Sequence, residues 1–370
     1  MDGAPPMPTS PAPTVPTWRT LLMRADTRVG WEGPRWTSDI LEPGFAADRA
    51  IASWNLDAGT TAQVDIRSRR PDGAWHPWQS LATWGEPGAR TSPARSAAKP
   101  GEQGIPVVDT DVLTAPAGAE FDAVQLRITL GEGQDADGDR SAGPLHLATV
   151  NVTASADPAP LADTDAIGGI LGAAASVRPL SQRAYPARDD LGGGPVWCSP
   201  TSLTMVALAW GTEIPTAAPE EIPEGADPHV PWVARSVYDI AYEGTGNWSF
   251  NAALAGSLGL EAFVTRLPGL RAARTLTDAG VPIVASIRFG KGELSGADYG
   301  APTGHLVVIR GFTADGDVLV ADPANPGGAA GLRTYPRAAF DTAWSYSRRT
   351  VYVVTPRGHE LPAVVGDAAW

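Results

Sequence analysis

Trp197-Cys198-Ser199-Pro200-Thr201-Ser202 stands where a glycine-rich loop, Gly192-Gly193-Gly194, runs into an apolar helix expected over residues 199–210. Pro200 suits the first turn of a helix, where a missing N–H costs nothing. Cys198 is the only cysteine among 370 residues. An internal disulfide, a four-thiolate zinc site and a Cys-x-x-Cys redox pair are therefore excluded. Two readings remain, a small buried hydrophobe or a reactive thiol. A helix N-terminus stabilises a thiolate electrostatically, which favours the second. The unpaired N–H groups of the same turn suit an oxyanion.

A nucleophilic thiolate needs an acid–base partner, usually histidine. Of the five histidines, His76 and His146 lie in the N-terminal half, His229 in a proline-flanked loop and His359 in the C-terminal tail. Only His305 opens a strand in the C-terminal half. Gly304 before it is expected to let the chain approach closely and to keep the imidazole face open. Residues 305–312 and 317–322 read as a hairpin with its tip near Thr313-Ala314-Asp315-Gly316. That hairpin brings Asp322 beside or diagonal to His305. Side chains alternate with period two, so only registers of odd index sum put both on one face. The sequence leaves the register open. On one face, Asp322 would hold one ring nitrogen and present the other to Cys198. Asn325 competes for the orienting position.

The ordered set of Gln182, Trp197-Cys198-Ser199-Pro200-Thr201-Ser202, Gly304-His305-Leu306-Val307-Val308 and Asp322-Pro323 resembles the bacteriocin-type (double-glycine leader) peptidase family of papain-like cysteine peptidases. The resemblance spans roughly residues 181–356, about half the chain. It implies a papain-like α+β fold and catalytic roles for Cys198, His305 and Asp322. It also implies an oxyanion role for the Gln182 amide, with the Cys198 backbone N–H as second donor. No metal or organic cofactor is implied. Ser199 replaces the glycine common after the nucleophile, which is similar to an actinobacterial-style subgroup acting on substrates other than leader peptides. Nothing here matches the transmembrane and ATPase parts of transporter-linked members, so leader cleavage coupled to export is not expected. Tyr185, Trp197 and Trp232 are candidates to line the substrate cleft, with Tyr238, Asp239 and Trp248 behind them.

The fold class expected is an α+β papain-like cysteine peptidase domain preceded by an all-β (β-sandwich or jelly-roll-like) domain. The divisions expected are a disordered arm over 1–17, the β-sandwich over 18–156, a linker over 157–178, the peptidase domain over 179–358 and a tail over 359–370. Alternation at 50–56 and 62–69, a turn at Pro71-Asp72-Gly73 and strands at 121–130 and 145–154 carry the all-β reading. Helices over 231–242, 252–258 and 270–279, then strands at 281–288, 305–312, 317–321 and 349–355, carry the α+β reading.

Lys and Arg number 28 against 41 Asp and Glu, a net charge of −13. Nucleic acid and anionic membrane are poor partners for such a chain, and no apolar run is long enough to span a bilayer. The N-terminus lacks the form of a signal peptide. The compartment reads as cytoplasmic, or as secreted or wall-associated if the start is truncated. Trp31, Trp36, Trp75, Trp78 and Trp84 raise a glycan as a candidate ligand of the β domain, set against ordinary core packing. Asp109-Thr110-Asp111 falls short of a calcium site. The expected activity is thiol-dependent hydrolysis of peptide bonds through a Cys-His-Asp triad and an acyl-enzyme. The alternatives are a peptidoglycan cross-link peptidase or acyl transferase on the same triad, and a non-catalytic wall- or glycan-binding protein.

Overall fold

A computed structural model describes residues 14–93, 104–132, 143–160, 170–297, 299–300, 302–326, 328–363 and 370. Ten strands build the N-terminal half: β1 (Thr14–Arg24), β2 (Trp31–Glu32), β3 (Arg35–Thr37), β4 (Arg49–Leu56), β5 (Ala62–Arg69), β6 (Gln79–Trp84), β7 (Val107–Asp109), β8 (Val112–Thr114), β9 (Ala123–Leu130) and β10 (Leu145–Pro160). They pair antiparallel in two five-stranded sheets, ordered β1-β10-β4-β8-β7 and β2-β3-β9-β5-β6. The region is all-β. Trp36, Trp54, Val64, Ile66, Leu126 and Ile128 fill its interior.

The C-terminal half is α+β, with α1 (Gly172–Ser176), α2 (Cys198–Ala209), α3 (His229–Val237), α4 (Trp248–Ser257), α5 (Leu270–Asp278) and α6 (Arg337–Ser345). Its strands are β11 (Ala187–Arg188), β12 (Gly192–Gly193), β13 (Leu260–Arg266), β14 (Ile283–Ile287), β15 (His305–Phe312), β16 (Val318–Ala321), β17 (Leu332–Tyr335) and β18 (Thr350–Pro356). Six of them form one sheet, β13-β18-β14-β15-β16-β17. One face of this sheet carries Leu306 and Val308 into a core shared with Leu203 and Val206 of α2 and Phe250 and Leu254 of α4. The other carries Val307, Ile309 and Val353 into a core with Leu276 of α5 and Phe340 and Trp344 of α6.

The two halves do not keep separate cores. Trp54 of β4 meets Phe250 of α4 edge to face at 6.4 Å, and one apolar cluster runs from the sandwich into α2 and α4. Every residue of β4 from Ala50 to Leu56 is buried. The alternation at 50–56 predicts one solvated face. That face instead covers β13, the edge strand of the C-terminal sheet. The Asn55 side chain donates to Ala262 O and accepts from Ala262 N, both at 2.9 Å, and Ser53 Oγ accepts from Val264 N at 2.8 Å. Exposed strand edges invite mispairing, and here side chains of the other half occupy the edge. Gly256 permits the contact, since a Cβ there would lie 2.5 Å from that of Asn55.

Several expected boundaries move. Thr14–Thr17 belong not to an arm but to β1, where Thr17 pairs with Ala156 of β10. Residues 1–13 lie outside the described residues, as do 161–169 of the expected linker. The rest of that linker is ordered: β10 continues to Pro160, and α1 buries Ala174, whose N–H bonds Gly280 O. The strand after the Pro71 turn is β6, which starts at Gln79. The helix expected to Tyr242 stops at Val237, and α4 starts at Trp248 because Asn247 caps it through Phe250 N.

Candidate active site

α2 begins at Cys198, so the thiol sits on the first residue of the helix and is half-buried. The helix is buried from Ser199 to Ala207, so its hydroxyls need internal partners. Ser199 Oγ pairs with Tyr352 Oη at 2.9 Å, Ser202 Oγ donates to Leu306 O, and Thr204 Oγ1 donates to Pro200 O. Ser199, the departure from the family's glycine, is thus fixed by a phenol of β18. The loop before Cys198 is not slack. A Cβ on Gly193, whose φ is 72°, would stand 2.1 Å from Pro186 O, and one on Gly194 would stand 2.1 Å from Tyr185 O. The glycines let this loop press against residues 182–188 and set the helix start in place.

His305 opens β15 as expected. Beside the turn, β15 and β16 pair as Phe312 with Val318 and Gly311 with Leu319, an even index sum. A β-bulge at Arg310 then shifts the register, and Ile309 pairs with Val320 and Val308 with Ala321, an odd sum. The odd register carries His305 and Asp322 to one face, diagonal to each other. His305 Nε2–H donates to Asp322 Oδ1 at 2.8 Å. Nδ1 is left free of Asp322, and Cys198 lies near enough to help raise the imidazole pKa.

Asp322 is fully buried and saturated with donors. Oδ1 also accepts from Ala324 N at 2.9 Å, while Oδ2 accepts from Tyr299 Oη at 2.8 Å and Tyr335 Oη at 2.5 Å. Burial pushes its pKa up, but the His305 charge and these donors outweigh it and hold the carboxyl below its ordinary range. Burial likewise opposes the charged form of His305, yet the Asp322 charge, its hydrogen bond and the contact with Cys198 raise the imidazole to about 10. Burial first, then the Asp322 charge, pushes both phenols well above the ordinary tyrosine range, so they remain donors. The Tyr299 ring also packs edge-on to His305 at 5.1 Å. Neither tyrosine is marked by local sequence pattern.

A cleft of about 1280 Å³ runs over this site. Cys198, His305, Gly304 and Gln182 line it together with Arg49, Asp111 and Val112 of the N-terminal half. A Cβ on Gly304 would meet nothing within 4 Å, so this glycine keeps the cleft open and serves no close backbone approach. Exposed Val196, Tyr242 and Tyr346 give the cleft apolar walls.

Gln182 is buried beside Cys198 in the cleft lining, but its Nε2 donates to Gly194 O at 2.8 Å and Pro195 O at 3.1 Å. Both amide hydrogens are thereby engaged, and Oε1 has no partner. Tyr185 lines the cleft, with its hydroxyl tied to Asp227 O. Trp197 does not. It is 1 % exposed, donates to Leu191 O and packs on Tyr185 at 5.4 Å, because the turn before α2 folds its indole inward. Trp232 packs half-buried against the main core and is absent from the lining, as is Tyr238, whereas Trp248 belongs to it. Asp239 is buried and binds Ser92 N and Ser92 Oγ of the N-terminal half, so it joins the halves. Asn325 Oδ1 accepts from Arg333, not from His305.

The other histidines stand apart: His76 on Ser68, His146 on Asp57, His229 on Pro215 O and His359 against Trp210. Trp36 and Trp84 are core, and Trp75 and Trp78 hold the Arg67 guanidinium between them at 4.4 and 4.6 Å. Among the described residues no cluster of side chains has the make-up of a metal site, and no helix is long and apolar enough to cross a membrane.

Two family models match the chain. One, described as Peptidase_C39 like family, covers residues 175–352, and the other, Peptidase C39 N-terminal domain, covers residues 14–150. No curated protein and no solved structure matches the chain significantly.

Proposed function

The chain belongs to the peptidase C39-like family, and from that premise we propose that it hydrolyses peptide bonds with Cys198 as nucleophile, His305 as acid and base and Asp322 as the group that orients His305. The observation that carries this reading is the imidazole held by Asp322 Oδ1 and lining one open cleft with the thiol at the head of α2. His305 Nδ1 takes the thiol proton, and Sγ attacks the substrate carbonyl carbon. The carbonyl π electrons move to oxygen, which the Cys198 backbone N–H stabilises at the helix start. His305 gives its proton to the leaving amine as the C–N bond breaks. It then takes a proton from water, whose oxygen attacks the thioester, and returns that proton to Sγ as the acid product leaves.

Gln182 serves as second oxyanion donor by exchanging its longer bond, to Pro195 O, for the substrate oxygen. A peptide library and iodoacetamide test the reading. Cys198→Ala should abolish cleavage while the unfolding midpoint stays close to wild type. Wild-type Cys198 should alkylate quickly near neutral pH and at least about tenfold more slowly in His305→Ala. Full cleavage by Cys198→Ala refutes the mechanism. A thiol that reacts only in denaturant refutes the activated site.

A further inference from the structure

The cleft continues past Cys198 to the seam between the two halves, where three arginines meet. Arg266, at the end of β13, is 3 % exposed and lines the cleft. Its Nε donates to Thr350 Oγ1 at 3.3 Å and its Nη1 to Thr153 Oγ1 at 2.7 Å. Both partners are neutral. Nη2 bonds no described residue, and among the described residues no carboxylate forms an ion pair with Arg266. Arg49, from β4, donates Nη1 to Thr114 Oγ1, while its Nε is buried without a partner, and it too has no ion pair among the described residues. Arg348 differs: it grips Asp48 through two bonds of 2.7 and 2.9 Å.

A buried guanidinium without an anion is costly, and like charge beside it adds to the cost. Burial foremost, then Arg348 and Arg49, lower the pKa of Arg266 to about 9. Asp111 lies close by, but its Oδ2 accepts from Trp248 N and burial pushes its carboxyl up to about 7, so it supplies only part of a countercharge. Asp48 and Asp109 act on these guanidiniums only at longer range, so two guanidiniums without a directly bonded carboxylate among the described residues face the substrate cleft of a chain whose net charge is −13.

We propose that Arg266 and Arg49 form a subsite that binds a carboxylate of the peptide substrate, so that the protein selects acidic peptides. A planar carboxylate would meet the guanidinium edges in paired, charge-assisted hydrogen bonds and supply the missing countercharge. Arg49 comes from the N-terminal half, so that half takes part in substrate choice. The inference rests on the peptidase reading only in calling the ligand a substrate.

Binding to full-length Cys198→Ala tests it without turnover. Three peptides of one neutral sequence are compared: one with a free C-terminal carboxylate, one amidated, and one amidated with an internal glutamate. At least one carboxylate form should bind roughly tenfold or more tighter than the neutral peptide, and the preferred form identifies the source of the carboxylate. The preference should vanish in Arg49→Gln and Arg266→Gln. If Arg266→Gln fails to fold, the half-buried Arg49→Gln decides. Equal affinity for all three peptides, or a preference that survives Arg49→Gln, overturns the subsite. The two readings fail separately. Arginine-dependent binding with no cleavage by wild type removes the peptidase and leaves the subsite. Cleavage without charge preference does the reverse.

Discussion

Asp322 and His305 are each almost fully buried, and each gains its charge from the other. Their pH signatures run in opposite senses. His305, raised above its ordinary 6.5, contributes stability that is complete below that pH and is lost as pH climbs through about 10. Asp322, held below its ordinary 3.8, contributes above that value and loses its share on acidification. Asp322→Asn should therefore cost about 3 kcal/mol near pH 6, with the gap to wild type closing as pH approaches 10. Denaturant midpoints across that range measure it, and a constant gap would show that the charge pairing is not what stabilises the site. The same variant should bring down the upper pH limb of Cys198 alkylation, since removing an anion makes imidazolium easier to deprotonate. The pairing of His305 with Asp322 was legible in sequence because a strand-opening histidine and a hairpin narrow the choices. Tyr299 and Tyr335 were not, because contacts distant in sequence bring their hydroxyls to Asp322. Trp197 was misread for a similar reason: being next to Cys198 in sequence says nothing about which way an indole turns.

The β15–β16 hairpin shows how one residue in a strand decides the site. Its bounds were readable from an apolar run and a turn, but the parity of its register was not. Strict alternation would place Phe312 opposite Val307 and Ile309, yet all three share one core cluster. The bulge at Arg310 resolves this, letting Phe312 at the turn and His305 at the site use the same face. The Arg310 side chain itself does little, donating to Ala174 O at 3.3 Å. Removing the side chain and removing the residue should thus differ sharply. Arg310→Ala should cost about 1 kcal/mol and leave Cys198 alkylation unchanged. Deleting Arg310 forces either Phe312 or the His305 segment off its face. It should cost about 3–5 kcal/mol, comparable to losing a buried phenylalanine. Equal stability of the two variants would show that the bulge does not set the register.

At the level of the whole molecule, the polar stripe of β4 was the misleading signal. Ser53 and Asn55 alternate with Ala52, Trp54 and Leu56 as in a strand with one wet face, and composition alone cannot tell water from another polar partner. The partner is the edge of β13, and Thr20 and Asn151 extend the contact through Arg266 O and Thr265 Oγ1. With the apolar cluster continuous across the same boundary, neither half can open without exposing the core of the other. The chain should accordingly unfold in one transition, with tryptophan fluorescence and exposure of the Cys198 thiol changing together. A chain beginning at residue 175 should aggregate, since it uncovers both the β13 edge and the apolar face of α4. Asn55→Ala is the gentler probe. It strands the buried N–H and C=O of Ala262 at about 1–3 kcal/mol each, and it should lower the midpoint of both signals equally. Two separated transitions, or an Asn55→Ala effect confined to one signal, would mean that the halves fold independently. The cleft wall supplied by Arg49 and Asp111 would then no longer be a fixed part of the site.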